Sequence, residues 1–194
     1  MDRRVQYTKK IIVDTFLSLL EEKEISKITV TEICKIADIN RATFYRYYLD
    51  VYDLKDKIEE DFRKELMNSP AIDALDEQES VYAFSKEILT IFEKNKKLVK
   101  ILFNTNHNIY FLNEVLELAY EKCLDKWSKE LGIDTDMEEV EHSIIFIFNG
   151  ALGIVNYWVK NDFDKDIEEI ADIIQKLSLD GARKYLLNRK KSSH

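Results

Sequence analysis

The side chains best suited to chemistry in this chain crowd into one short run, "RATFYRYY", Arg41 to Tyr48, with two arginines and three tyrosines in eight residues. An arginine offers a charged fork for phosphate or for guanine. A tyrosine offers a hydroxyl to a phosphate oxygen while its ring packs on the scaffold. At about 100° per residue, Phe44 and Tyr48 share one side of a helix, and Ile39 precedes it on the core side. Ala42 and Arg46 fall opposite, with Thr43 nearby. Arg41 and Tyr45 flank one edge and Tyr47 the other. Tyr48 is therefore expected in the core, and Tyr45 and Tyr47 on the shoulders of an exposed face. Ala42 is small enough for close approach to base edges. This is the pattern of a recognition helix entering a major groove, although spacing alone leaves a plain helix pair open.

The preceding elements have to aim that run. A first helix over roughly Thr8 to Glu22 buries Ile12, Phe16, Leu19 and Leu20 at helical spacing. "TVTE" fits a capping box, with Thr29 accepting from the Glu32 amide and Glu32 reaching back. The helix it starts carries Ile33, Ile36 and Ala37. A turn, "DIN", follows. Asn40 can cap the third helix, Arg41 to Tyr48, and Asp38 tolerates a positive φ better than most non-glycine residues.

The stretch "TVTEICKIADINRATFYRYYLDVYDL" resembles the helix-turn-helix of the tetracycline-repressor-type (TetR/AcrR) transcriptional regulators. The shared positions are Thr29, Glu32-Ile33, Ala37-Asp38-Ile39-Asn40, Thr43-Phe44-Tyr45, Tyr47-Tyr48 and Asp53-Leu54. Asp38 stands where the family has a turn glycine, and Asn40 where it has a serine cap. Val51 replaces a lysine that commonly touches phosphate; Lys55 and Lys57 are the nearby cations. The resemblance implies DNA contacts from Thr29, Asn40, Arg41, Ala42, Thr43, Tyr45, Arg46 and Tyr47. Arg46 is the candidate base reader, and Thr43, Tyr45 and Tyr47 position the backbone. Arg3, Arg4, Lys9 and Lys10 can add phosphate contacts.

Composition agrees with an all-α chain: 194 residues hold one proline and four glycines, too few turn residues for sheets and hairpins. The expected domains are residues 1–50, a helix-turn-helix DNA-binding domain, and 51–194, a helical regulatory and dimerisation domain. The net charge of −8 does not exclude DNA. Affinity depends on the potential at the docking face, and the acidic runs lie elsewhere in sequence. Cys34 and Cys123 form no ligand-type pair and suit a reducing, cytoplasmic setting. "MDRRVQYTKK" lacks the apolar segment of a signal peptide, and "SIIFIFNGALGIVNYWV" reads as a buried helix, so no membrane association is expected. No glycine-rich phosphate loop, nucleophile elbow or metal cluster is visible, so neither an enzyme nor a cofactor is expected.

Helix four is expected over Tyr52 to Asn68, with further helices near Glu77–Asn95, Lys97–Phe103, Ile109–Leu131, Met137–Lys160 and Asp166–Asn188. The penultimate helix is apolar nearly all round, which predicts burial by its own chain on one side and a second chain on the other. The resemblance implies a homodimer made by the last two helices, with Ile147, Gly150, Ala151, Ile154, Ile170, Ile174 and Leu177 as interface candidates. Phe92, Phe103, His107, Tyr110, Tyr120, Trp127, Asn156 and Trp158 are candidates for an aromatic-lined pocket holding a small-molecule effector. The function these features imply is a ligand-responsive regulator, a repressor on a palindromic double-stranded operator. The alternative is a helical interaction module whose effector is another protein.

Overall fold

The computed structural model describes residues 3–70, 80–104 and 138–178. Every regular element among them is helical, as the composition predicts. They are α1 (Arg3–Glu22), a 3-10 turn (Ile25–Lys27), α2 (Val30–Ile36), α3 (Arg41–Tyr45), α4 (Val51–Met67), α5 (Ser80–Lys94), α6 (Lys96–Asn104), α7 (Glu138–Lys160) and α8 (Ile167–Leu177). The helix expected over Ile109–Leu131 lies outside the described residues. Two compact units make up the chain, residues 1–64 and 65–194, and the division falls inside α4 rather than at its start.

In the first unit α1 begins at Arg3, five residues before the expected start. Thr8 does not cap it, because its hydroxyl donates to the Arg4 carbonyl one turn back, at 2.8 Å. The core holds Ile12, Phe16 and Leu19 of α1, Ile33 and Cys34 of α2, and Phe44 of α3. Leu54, Ile58 and Phe62, each one turn from the next on α4, complete it. Ile36, counted among the apolar residues of α2, is 57% exposed: Ile33 and Ala37 take the inner face and leave Ile36 at its edge.

In the second unit α8 packs on α5 and α7, and α6 packs on both α7 and α5. Leu89, Phe92, Leu98, Val99, Leu102, Val155, Trp158, Val159, Ile170, Ala171 and Ile174 are buried there. The α5–α6 break is at Asn95, whose side-chain amide donates to the Ile91 carbonyl (2.9 Å) and to Glu65 (3.1 Å). Lys94 Nζ also donates to Glu65, at 2.6 Å. Between α7 and α8 the chain reverses through two left-handed residues, Asp162 (φ 62°) and Phe163 (φ 58°). The Phe163 N–H closes on the Trp158 carbonyl at 3.0 Å and its ring packs edge-on against the indole at 4.7 Å. These contacts hold the strained pair in place.

The interface candidates on the last two helices differ in exposure within the chain. Ile170 and Ile174 are 3% and 5% exposed within a single chain, so they stabilise its own core. Their neighbour Leu177 is exposed. On α7 the chain itself covers only one side. His142, Ile145, Phe146, Asn149, Gly150, Gly153 and Tyr157 form one exposed stripe at helical spacing, with Phe146 71% and Tyr157 66% accessible. Ile147, Ala151 and Ile154 flank it, half-buried. A Cβ added at Gly150 or Gly153 would meet nothing within 4 Å, so the backbone there is open to close approach. No described helix is long and apolar enough to cross a membrane.

Candidate nucleic-acid interface

The candidate interface lies on α2, the turn after it and α3. Thr29 starts α2 from an extended conformation, and its hydroxyl oxygen accepts from the Glu32 N–H at 3.2 Å. The reciprocal half of the box is not formed. The Glu32 carboxylate instead takes the Lys23 ammonium at 2.6 and 2.7 Å, which ties the end of α1 to α2. At the other end of α2, Asp38 adopts φ 51°, as its position in the turn predicts, and the Ile39 N–H returns to the Cys34 carbonyl at 3.0 Å. Asn40 Oδ1 then caps α3 by accepting from the Ala42 N–H at 2.9 Å. Both caps use a side-chain oxygen as acceptor and leave the Thr29 O–H and the Asn40 amide N–H as donors.

The helix closes at Tyr45, three residues earlier than expected, and the chain continues in a tight turn. The N–H groups of Tyr47 and Tyr48 both return to the Phe44 carbonyl, at 2.9 and 3.0 Å. Phe44 and Tyr48 are buried, with ring centroids 5.6 Å apart, whereas Arg41, Ala42, Tyr45 and Arg46 are exposed. Thr43 and Tyr47 are half-buried. The Tyr45 ring stands edge-on to Phe44 at 5.7 Å, which braces it, while the residue is 55% exposed. Neither Arg41 nor Arg46 forms an ion pair among the described residues. Burial raises the Cys34 thiol pKa and the charge of Arg41 lowers it, with burial the larger effect. Cys34 is thus kept protonated behind the face rather than on it.

The junction with α4 departs from the sequence reading. Val51, where the resemblance expects a phosphate-touching lysine, is buried at 7% exposure. Asp50 caps α4, its Oδ1 accepting from the N–H of Tyr52 (2.8 Å) and of Asp53 (2.9 Å). Asp53 Oδ2 accepts the Leu49 N–H and the Lys57 ammonium, both at 2.8 Å. These bonds hold the Asp53 carboxyl below the usual carboxylate range, the Lys57 hydrogen bond contributing most. Lys57 also donates to the Tyr47 carbonyl at 3.0 Å and sits 5.6 Å from the Tyr48 ring centroid. Lys55 is paired with Glu59. Neither lysine replaces the missing contact freely. Lys57 instead locks the end of the recognition segment to α4. The Asp53–Lys57 spacing of four residues signals their ion pair; the carbonyl contact has no such signal. Sequence reasoning also passed over Leu49 and Tyr52, both exposed beside this junction.

Of the pocket candidates, His107, Tyr110, Tyr120 and Trp127 lie outside the described residues. Phe92 is buried and packs edge-on to the half-buried Phe103 at 6.0 Å. Trp158 is fully buried and its Nε1 donates to the Lys165 carbonyl at 2.8 Å, which helps to close the α7–α8 turn. Asn156 is different: its Oδ1 is buried with no hydrogen-bond partner. Among the described residues no group of three His, Cys, Asp or Glu side chains is placed to hold a metal ion.

Comparison with known proteins agrees with this architecture. A TetR-type family model described as a transcriptional regulator C-terminal region matches residues 79–180, more than half of the chain. The HTH-type dhaKLM operon transcriptional activator DhaS of Lactococcus lactis subsp. lactis (strain IL1403) is 27% identical over 151 residues, 74% of each chain. The HTH-type transcriptional regulator YxbF of Bacillus subtilis (strain 168) is 23% identical over 173 residues; these are 86% of this chain but only 43% of YxbF, so the chain spans less than half of that relative. Among solved structures, the dihydroxyacetone kinase operon activator DhaS superposes with a TM-score of 0.64 at 20% identity, covering 91% of this chain and 96% of that one. The fatty acid degradation regulator FadR from Bacillus halodurans gives 0.63 at 19% identity, covering 90% and 95%. At such identities the solved structures speak for the fold. Together with the family match and the curated relatives, they show that the chain belongs to the TetR family of DNA-binding transcriptional regulators.

Proposed function

We propose that this regulator acts in the cytoplasm as a homodimer on a palindromic operator, and that effector binding lowers its affinity for DNA. The observation that carries the DNA half is the outward array of Arg41, Ala42, Tyr45 and Arg46 on a capped α3 whose inner face is pinned by Phe44 and Tyr48. Thr29, Asn40, Thr43 and Tyr47 frame it. Residues 1–50 are read as the DNA-binding domain and 51–194 as the regulatory and dimerisation domain.

The exposed stripe of α7, with Leu177 of α8, supports dimerisation. Two recognition helices in a two-fold dimer meet successive major grooves about 34–36 Å apart. For the effector, the Phe92–Phe103 pair supplies apolar wall and Asn156 Oδ1 an unused acceptor that a ligand N–H or O–H would satisfy. The signal would run along α4, which carries residues of both units. A coupling of about 1–3 kcal/mol would give a 5- to 150-fold response.

The sign read from the resemblance is repression, whereas the relative DhaS is named an activator. A reporter fused to the target promoter, with and without the regulator, decides between them. The test of the site is selection of bound fragments from the source genome, followed by binding at fixed salt. Arg46→Ala is expected to cost about 1–3 kcal/mol of discrimination at the base it reads, and Tyr45→Phe to weaken binding across sequences. If both variants kept wild-type affinity and preference, the assignment would be wrong.

A further inference from the structure

A recognition helix needs cations at its flanks to hold the sugar–phosphate backbone, and the two flanks of the Arg41–Tyr48 segment are unlike. On the α4 side the first amides are already used by carboxylates: Asp50 takes the N–H of Tyr52 and Asp53, and Asp53 takes that of Leu49. Val51 is buried, and Lys57 is held by Asp53 and the Tyr47 carbonyl. This flank presents negative charge and spent donors to a phosphate. On the other side α1 delivers Lys9, whose Nζ lies 5.6 Å from the centroid of the Tyr47 ring. Lys9 forms no ion pair among the described residues. Tyr47 is a firm platform: it is half-buried, its carbonyl is bonded by Lys57, and its ring leans on Tyr48 at 6.4 Å.

We propose that Lys9 is a contact to the DNA backbone, and that Tyr47 is its positioning residue through the ring rather than a phosphate ligand through the hydroxyl. The negative ring face holds the ammonium against the recognition segment. The ring makes no hydrogen bond of its own to the ammonium, so the three N–H donors stay available to a phosphodiester oxygen. Lys9 thereby supplies from α1 the charge that α4 lacks. The inference rests on the DNA-binding reading and refines it.

The test uses the full chain and a fluorescein-labelled duplex about three helical turns long, cut from a genomic fragment that the wild-type chain selects, titrated by anisotropy from about 50 to 200 mM KCl. Lys9→Gln is expected to lower the slope of log K against log salt by about 0.9 per protomer, and affinity at 0.1 M salt by about eightfold per protomer, or about sixtyfold for a dimer. Tyr47→Phe keeps the ring and should behave as wild type. Tyr47→Leu should fall to the Lys9→Gln level, and the double variant should fall no further. Lys9→Gln with a wild-type slope, while Arg46→Ala binds more weakly, would overturn the proposal and leave the DNA reading standing. Arg46→Ala binding as wild type would overturn that reading itself. A full effect of Lys9→Gln with none from Tyr47→Leu, or loss of binding in Tyr47→Phe, would refute the positioning role. Lys9 and Arg46 lie outside the core, so their variants remain informative should Tyr47→Leu unfold.

Discussion

Tyr45 and Tyr48 stand three residues apart in one segment and meet opposite fates. Tyr45 is braced by Phe44 and largely exposed, and Tyr48 is sealed into the core. Burial, reinforced by the charges of Asp61 and Asp53 and by Tyr47, pushes the Tyr48 phenol up to about 12 from its ordinary 10.0. The protonated form is therefore favoured in the folded state. Its stabilisation is complete below pH 10 and is lost as pH rises from there toward 12. Tyr48→Phe has nothing to ionise. It should stay folded and keep stability over that window while the wild type loses it, as alkaline unfolding followed by circular dichroism would record. Coincident curves would show that the phenol is not the group that titrates.

At the scale of elements, the Leu49–Lys57 junction decides how firmly α3 is held. Asp53 accepts from both sides of it, and Lys57 reaches across to the Tyr47 carbonyl. The Asp53 carboxyl lies below its ordinary 3.8, so its stabilisation is present above that value and is lost as pH falls through the depressed one. Asp53→Asn should lower the urea midpoint at pH 7, and the two proteins should converge as the pH drops below the depressed value. A difference that persisted undiminished in acid would point to side-chain packing rather than charge. The site is exposed enough for salt to weaken the effect.

For the whole molecule, the exposed α7 stripe outweighs any single contact. Phe146 and Tyr157 leave large apolar faces in water around two open glycines, and burying one such phenylalanine is worth about 1.5–3 kcal/mol. Phe146→Glu would place a charge in the proposed interface. It should weaken self-association by at least about tenfold, read as a shift from dimer to monomer mass in sedimentation equilibrium, with the helical signal kept. A wild-type chain that sediments as a monomer would instead favour a different protein as the partner of this face.

The residue order alone determined the helical class, the capped starts at Thr29 and Asn40, the left-handed turn at Asp38, and the split of the recognition segment into Phe44 and Tyr48 inside and Arg41, Ala42, Tyr45 and Arg46 outside. All of these follow from neighbours within about one helical turn, where backbone geometry leaves little choice. Tertiary structure alone decided that Ile170 and Ile174 serve their own chain, that Ile36 lies in water, that Trp158 closes a turn, and that Lys9 meets Tyr47. Each of these depends on which distant surface arrives to cover or confront a side chain. An amphipathic pattern shows that a face must be buried, yet it carries no information about what buries it.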